Sequence, residues 1–178
     1  MNIYELISKR TSIRAYKTDK VQLEVVTKII EAAGRAPSWA NKQCWRFVVV
    51  DSQVEKRLIG KASGQENIDK ACQEAPYIIV LCAEPQESGV KNSMEYYMFD
   101  CGLAMQNLAL AACQEGLSTC IVGWFDEKAI KGILNLTEGC RVVAFTPLGY
   151  SSEPYKLRSR KKLNEIVFHN FWGKEMKT

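Results

Sequence analysis

The sequence predicts an α+β fold in which a few strands are separated by helices of unequal length. Three observations carry this expectation. Apolar runs of strand length, rich in Val, Ile and aromatic residues, stand near residues 45, 77 and 141. The helical patterns between them differ too much in length for the regular β-α-β alternation of a doubly wound sheet. No G-x-G-x-x-G follows the first strand and no Walker A sequence occurs, so the sequence has neither a dinucleotide-binding turn nor a P-loop. Any phosphate recognition must then come from side chains.

The elements follow in order. A short helix is expected from Ile3 to Lys9, with Asn2 as its N-cap. A second helical pattern uses Val21, Leu23, Val25, Val26, Ile29, Ile30 and Ala33; Asp19 serves near its start, and Gly34 and Pro37 stop it. Residues Pro37 to Gln43 read as a loop, and Trp45 to Val50 as a strand. Ser63-x-x-Glu66 has the form of a capping box and opens a helix through Glu74. Tyr77 to Ala83 is a second strand. A long helix is expected from Ser93 to Glu115, apolar on nearly every face in its C-terminal half and ended by Gly116. Thr119 to Gly123 is a short apolar segment, Asp126 caps a small helix through Leu134, and Arg141 to Leu148 is the last strand. A basic region and a tail ending in Phe171-Trp172 complete the chain.

Bulk properties narrow the function classes. The 178 residues suit one domain, 1–178, with a sizeable core. An apolar fraction of 47% and a charged fraction of 25% are ordinary for a globular protein. The net charge of +4 is mild, which favours small anions over nucleic acid as partners. The N-terminus shows no signal peptide. The stretch Cys101 to Cys113, interrupted by Gln106 and Asn107, is too short and polar to span a membrane. Seven cysteines, an odd number without C-x-x-C spacing, argue for reduced, buried thiols and a cytoplasmic setting. With one histidine, His169, and no cluster of ligand spacing, no metal site is expected. His169 reads as a surface or structural residue, Cys120 as a packing residue, and Asp100 and Glu95 as helix-surface or interface groups.

Two basic segments carry the strongest chemical signal. Arg10-Thr11-Ser12-Ile13-Arg14 lies near one end and Arg158-Ser159-Arg160-Lys161-Lys162 near the other. Alternating cations and hydroxyls are what a phosphate monoester requires, because charge-assisted hydrogen bonds hold it. Taken singly, Arg10 to Arg14 reads rather as a solvated helix end with incidental charges, and Lys156 to Lys162 as a nucleic-acid patch or soluble surface. No aromatic platform alternates with the C-terminal lysines, which weighs against RNA.

Ordered blocks between these segments resemble the nitroreductase family of FMN-dependent oxidoreductases. Arg10 to Arg14 follows a short helix; Ala36-Pro37-Ser38-Trp39-Ala40-Asn41-Lys42-Gln43-Cys44-Trp45-Arg46-Phe47 is similar to the family's A-P-S-x-x-N-x-Q-P-W-x-F loop and strand. Gln106 to Ala112, Gly116-Leu117, Thr119 to Gly123, Leu148-Gly149-Tyr150 and Arg158-Ser159-Arg160 then follow in order. The resemblance implies a three-layer α-β-α fold with a mostly antiparallel central sheet, a long buried central helix and an intertwined homodimer. It implies FMN as cofactor, NADH or NADPH as donor, and a ping-pong transfer of hydride to a small electron-poor acceptor such as a nitroaromatic or quinone. The alternative it leaves open is a flavin-binding member without nitroreductase activity, which fragments flavin or senses redox state.

Residue by residue, the resemblance implies that Arg10, Thr11, Ser12 and Arg14 form one half of the FMN phosphate and ribityl site, and Arg158 and Arg160 the other. Pro37, Ser38, Trp39 and Asn41 match the loop that reaches the flavin from the partner subunit. Ile121, Val122 and Gly123 match the segment against the isoalloxazine ring, and Asn67 and Lys70 the pair near its pyrimidine edge. No catalytic side chain is implied, because hydride chemistry belongs to the cofactor. Three departures stand out: Cys44 replaces a proline, Val122 stands where some members carry glutamate, and Trp39 replaces a small residue. Trp39 either narrows the substrate pocket or packs at the dimer interface.

Overall fold

The computed structural model describes residues 1–176; Lys177 and Thr178 lie outside the described residues. Helix α1 runs Ile3–Lys9 and opens on a reciprocal capping box, with the Asn2 side chain accepting from the Glu5 N–H and the Glu5 carboxylate accepting from the Asn2 N–H, each at 3.0 Å. Helix α2, Leu23–Gly34, starts after Gln22 rather than Asp19. Strand β1 is Trp45–Val50, followed by α3 at Gln53–Ala62 and α4 at Glu66–Glu74. Strand β2 is Tyr77–Ala83. A two-stranded hairpin follows, β3 at Val90–Lys91 and β4 at Met94–Glu95. Helix α5 is Tyr96–Gln114, β5 Ser118–Thr119, α6 Glu127–Ile133 and β6 Arg141–Gly149.

The sheet has the order β1-β2-β6-β5, and every pairing between its named strands is antiparallel. Strand β2 lies at its centre and is buried along nearly its whole length. Its side chains alternate between two cores, as the two-residue period of a strand requires. Ile79, Leu81 and Ala83 pack with Val26, Ile29 and Ala33 of α2 and with Cys101, Ala104 and Leu108 of α5. Ile78, Val80 and Cys82 pack with Ile59 of α3, Ile68 and Cys72 of α4 and Ile130 of α6. A sheet covered on both faces by helices is the expected three-layer α-β-α arrangement. A parallel bridge between Ser12 and Thr119 lays the N-terminal segment along β5, which makes the whole mostly antiparallel.

Several boundaries differ from expectation. Ser63 does not cap α4: it ends α3, donating to the Gly60 carbonyl at 2.6 Å and accepting from the Gln65 N–H at 3.1 Å. The long helix begins at Tyr96 rather than Ser93, because Asn92 and Ser93, with φ of 53° and 60°, form the turn of the β3–β4 hairpin. Helix α3 has no counterpart among the expected elements. Asp100 is no surface group but 1% exposed. Of the tryptophans, Trp45 is buried, whereas Trp124 and Trp172 are 79% and 93% exposed. Among the described residues no helix is long and apolar enough to cross a membrane.

Candidate functional site

The backbone between α1 and α2 brings the two basic segments together. Leaving α1, the chain runs extended beside β5, and the Ile13 N–H donates to the Thr119 carbonyl at 3.0 Å. The chain returning from β6 passes on the other side. Thr11 Oγ1 donates to the Lys156 carbonyl at 3.1 Å, and the Arg14 N–H donates to Glu153 Oε1 at 2.7 Å. These bonds join residues about 140 positions apart in the sequence. Between the two segments lies a cleft of about 460 Å³ lined by Ser12, Ile13, Arg14, Gln65, Asn67, Glu153, Pro154, Lys156 and Arg158. Three cations stand there against one carboxylate, with a hydroxyl and two amides beside them. That donor set suits a phosphate ester carrying a polyhydroxyl chain.

Ser12, Arg14 and Arg158 therefore line one cleft, and Asn67, expected at the ring's pyrimidine edge, lines it with them. The other expected residues do not line this cleft. Arg10 and Thr11 line a closed crevice with Cys113, Ser118 and Tyr155. The Arg160 guanidinium turns back on its own chain, donating to the Arg158 and Ser159 carbonyls at 3.2 and 3.1 Å. Lys70 lies on α4 with its Nζ 3.7 Å from Glu74. Val122 is buried and pairs with Phe145 through reciprocal backbone bonds, while Ile121 is 43% exposed and Gly123 is exposed beside it. Sequence reading missed Gln65, Glu153 and Lys156. Lys156 was within reach, since it falls in the same basic run; Gln65 and Glu153 carry no local pattern that would mark them.

The loop Pro37–Gln43 stands apart from this cleft. It borders a cleft of about 230 Å³ lined by Pro37, Ser38, Trp39, Tyr96, Phe99, Asp100 and Leu103. Ala40, Asn41 and Gln43 hold φ of 47°, 54° and 54°, in the left-handed region that side-chain-bearing residues rarely occupy. Internal bonds keep them there: the Gln43 N–H donates to Ser38 Oγ at 2.9 Å, and Gln43 Nε2 donates to the Asn41 carbonyl at 3.1 Å.

No reactive thiol emerges. All seven cysteines are free and buried. Burial pushes the thiols of Cys44, Cys101, Cys113 and Cys120 up, and those of Cys72 and Cys82 up to about 12. Cys120, beside the Ile121–Gly123 segment, is thus a packing residue. Among the described residues no group of His, Cys, Asp and Glu has metal-binding geometry.

Known proteins share the fold and family sequence pattern. The Nitroreductase family profile matches residues 7–72 and 60–150. A protein of Archaeoglobus fulgidus, assigned as an NADH dehydrogenase/NAD(P)H nitroreductase, is 31% identical over 153 residues, covering 84% of this chain and 85% of its own. The crystal structure of a nitroreductase family protein from Clostridium novyi NT superposes with a TM-score of 0.83 at 36% identity, covering 98% of this chain and 97% of the other. Oxidised iodotyrosine deiodinase, crystallised with FMN and 3-iodo-L-tyrosine, shares the fold at a TM-score of 0.82 and 24% identity, over 95% of this chain and 99% of its own. With the profile spanning most of the sequence and a relative 31% identical over 85% of its own length, the chain belongs to the nitroreductase family.

Proposed function

We propose that the protein is an FMN-dependent oxidoreductase in which the Ser12–Arg158 cleft holds the FMN phosphate and ribityl chain. The observation that carries this reading is the cleft itself, where Arg14, Lys156 and Arg158 face a hydroxyl and two amides. Arg14 and Arg158 bind the phosphate dianion, Ser12 donates its hydroxyl, and Asn67 and Gln65 serve the polar groups next to it. Arg10, Thr11 and Arg160 act one step back. Thr11 ties the two segments together, and Arg10 and Arg160 add positive potential around the cleft. Bound FMN supplies the two-electron chemistry, linking NADH or NADPH to a small electron-poor acceptor in a ping-pong sequence. Ile121, Val122 and Gly123 form a wall for the ring, which the Val122–Phe145 pairing holds rigid, and Lys70 serves as a cation at its edge.

The functional unit in this reading is a homodimer of single-domain chains in the cytoplasm. Support for the dimer lies in apolar surface that a lone chain leaves open. Met98 and Phe99 on α5 are 52% and 64% exposed, and Leu157 and Phe171 of the tail 77% and 71%. The Pro37–Asn41 loop, which does not border the Ser12–Arg158 cleft of its own chain, then serves the flavin of the partner.

Anaerobic addition of NADH or NADPH to the purified, yellow protein tests the reductase reading. Bleaching of the flavin band with either donor is expected. A flavin-bound protein that bleaches with neither would instead be a binding or sensing member of the family.

A further inference from the structure

We propose that Asp100 is a positioning residue whose buried carboxylate, gripping the Trp39 backbone, fixes the Pro37–Gln43 loop in the form that serves FMN. The proposal rests on the FMN reading above for its functional consequence, and on geometry for the anchoring itself.

Asp100 lies in the first turns of α5 and is 1% exposed. A buried carboxylate normally stands beside a cation. No ion pair involving Asp100 is formed among the described residues. Its partners are three neutral donors instead: the Trp39 N–H to Oδ1 at 2.9 Å, the Ser88 hydroxyl to Oδ2 at 2.9 Å, and the Cys44 thiol to Oδ2 at 3.8 Å. Trp39 and Cys44 flank the three residues with positive φ, so the carboxylate clamps the strained stretch at both ends. Such strain persists only where surrounding bonds over-determine it. The indole is placed by a second device. A Cβ built on Gly89 would overlap the Trp39 ring, so the absence of a side chain there lets the indole lie on the backbone just ahead of β3. Ser88 joins the two devices, since it donates to Asp100 and directly precedes Gly89.

One acid on α5 thereby connects the loop, the hairpin approach and the central helix. Its role is to accept, not to carry charge to the flavin. Asp100→Asn keeps an acceptor oxygen for the Trp39 N–H, and its amide can donate to Ser88 Oγ. Asp100→Ala removes both acceptors.

Two measurements test the proposal. Hydrogen exchange on flavin-free protein reads the anchoring without the cofactor: exchange in the segment containing Trp39 should rise roughly tenfold or more in Asp100→Ala and stay near wild type in Asp100→Asn. Fluorescence titration with FMN reads the consequence: Kd should rise roughly tenfold in Asp100→Ala and in Gly89→Ala, and little in Asp100→Asn. Gly89→Ala leaves the carboxylate in place and keeps the test decisive if Asp100→Ala fails to fold. Unchanged exchange in Asp100→Ala overturns the anchoring. Raised exchange with unchanged FMN affinity overturns its link to the cofactor. Loss in Asp100→Asn equal to that in Asp100→Ala overturns the acceptor role in favour of charge. A wild-type protein that binds no FMN overturns the reading above, while the exchange results still decide the anchoring.

Discussion

Individual residues divide between those whose role their neighbours in sequence announce and those that only the fold reveals. Ser12 and Arg14 sit in a cationic-hydroxyl pattern that is readable directly, as does Arg158. Asp100 is the reverse. Its place in an apolar helix gives no sign that three donors converge on it from residues 12 to 61 positions away. Glu153 is equally silent, because its partner is the backbone of Arg14. Two predictions belong at this scale. The six thiols raised by burial hold their protons in the folded state beyond the value of 9.0 for a free thiol. A group whose folded pKa is raised contributes stability that is fully present below its unfolded pKa and is lost as pH rises through the folded one. Thermal stability should therefore fall as pH rises above about 9, and Cys72→Ala should shallow that fall. At neutral pH a colourimetric thiol reagent should react quickly only after unfolding.

Strongly apolar strands and clearly capped helices stand where the sequence places them. Strands β1 and β2 match to the residue because each is an apolar run bounded by polar turns. Helix α6 begins where Asp126 promised, with the carboxylate accepting from the Ala129 N–H at 3.0 Å. Asp126→Ala should cost about 1 kcal/mol, or ~2–4 °C in Tm, read by calorimetry at neutral pH. Failures have physical causes. Ser63 has the residue type of an N-cap, but its hydroxyl is already engaged by the end of α3. Helix α3 escaped notice because its Lys and Arg residues dilute the apolar stripe, although Lys56 is buried and donates to the Ala75 carbonyl at 2.6 Å. The β3–β4 hairpin is two residues to a strand, too short for any period to register.

At the scale of the whole molecule, the sheet acts as a spacer that sets two ends of the chain side by side. Strand β2 at the centre keeps α2 and α5 on one face and α3, α4 and α6 on the other. The order β1-β2-β6-β5 then puts the extended N-terminal segment beside β5 and the outgoing chain of β6 next to it. Proximity between residues 12 and 158 is a property of this topology, and no local pattern could have stated it. The exposed apolar residues of α5 and the tail predict that the protein sediments as a dimer, and that Phe99→Glu shifts it towards monomer with loss of bound flavin. The most direct test of the account is FMN affinity measured for wild type, Arg14→Ala, Arg158→Ala and Arg57→Ala, the last removing an exposed arginine on α3 that does not line the cleft. Each cleft variant should lose roughly tenfold to hundredfold in affinity, the worth of one charge-assisted contact, while Arg57→Ala matches wild type. Equal FMN affinity in all four proteins would contradict the assignment of this cleft to the cofactor phosphate.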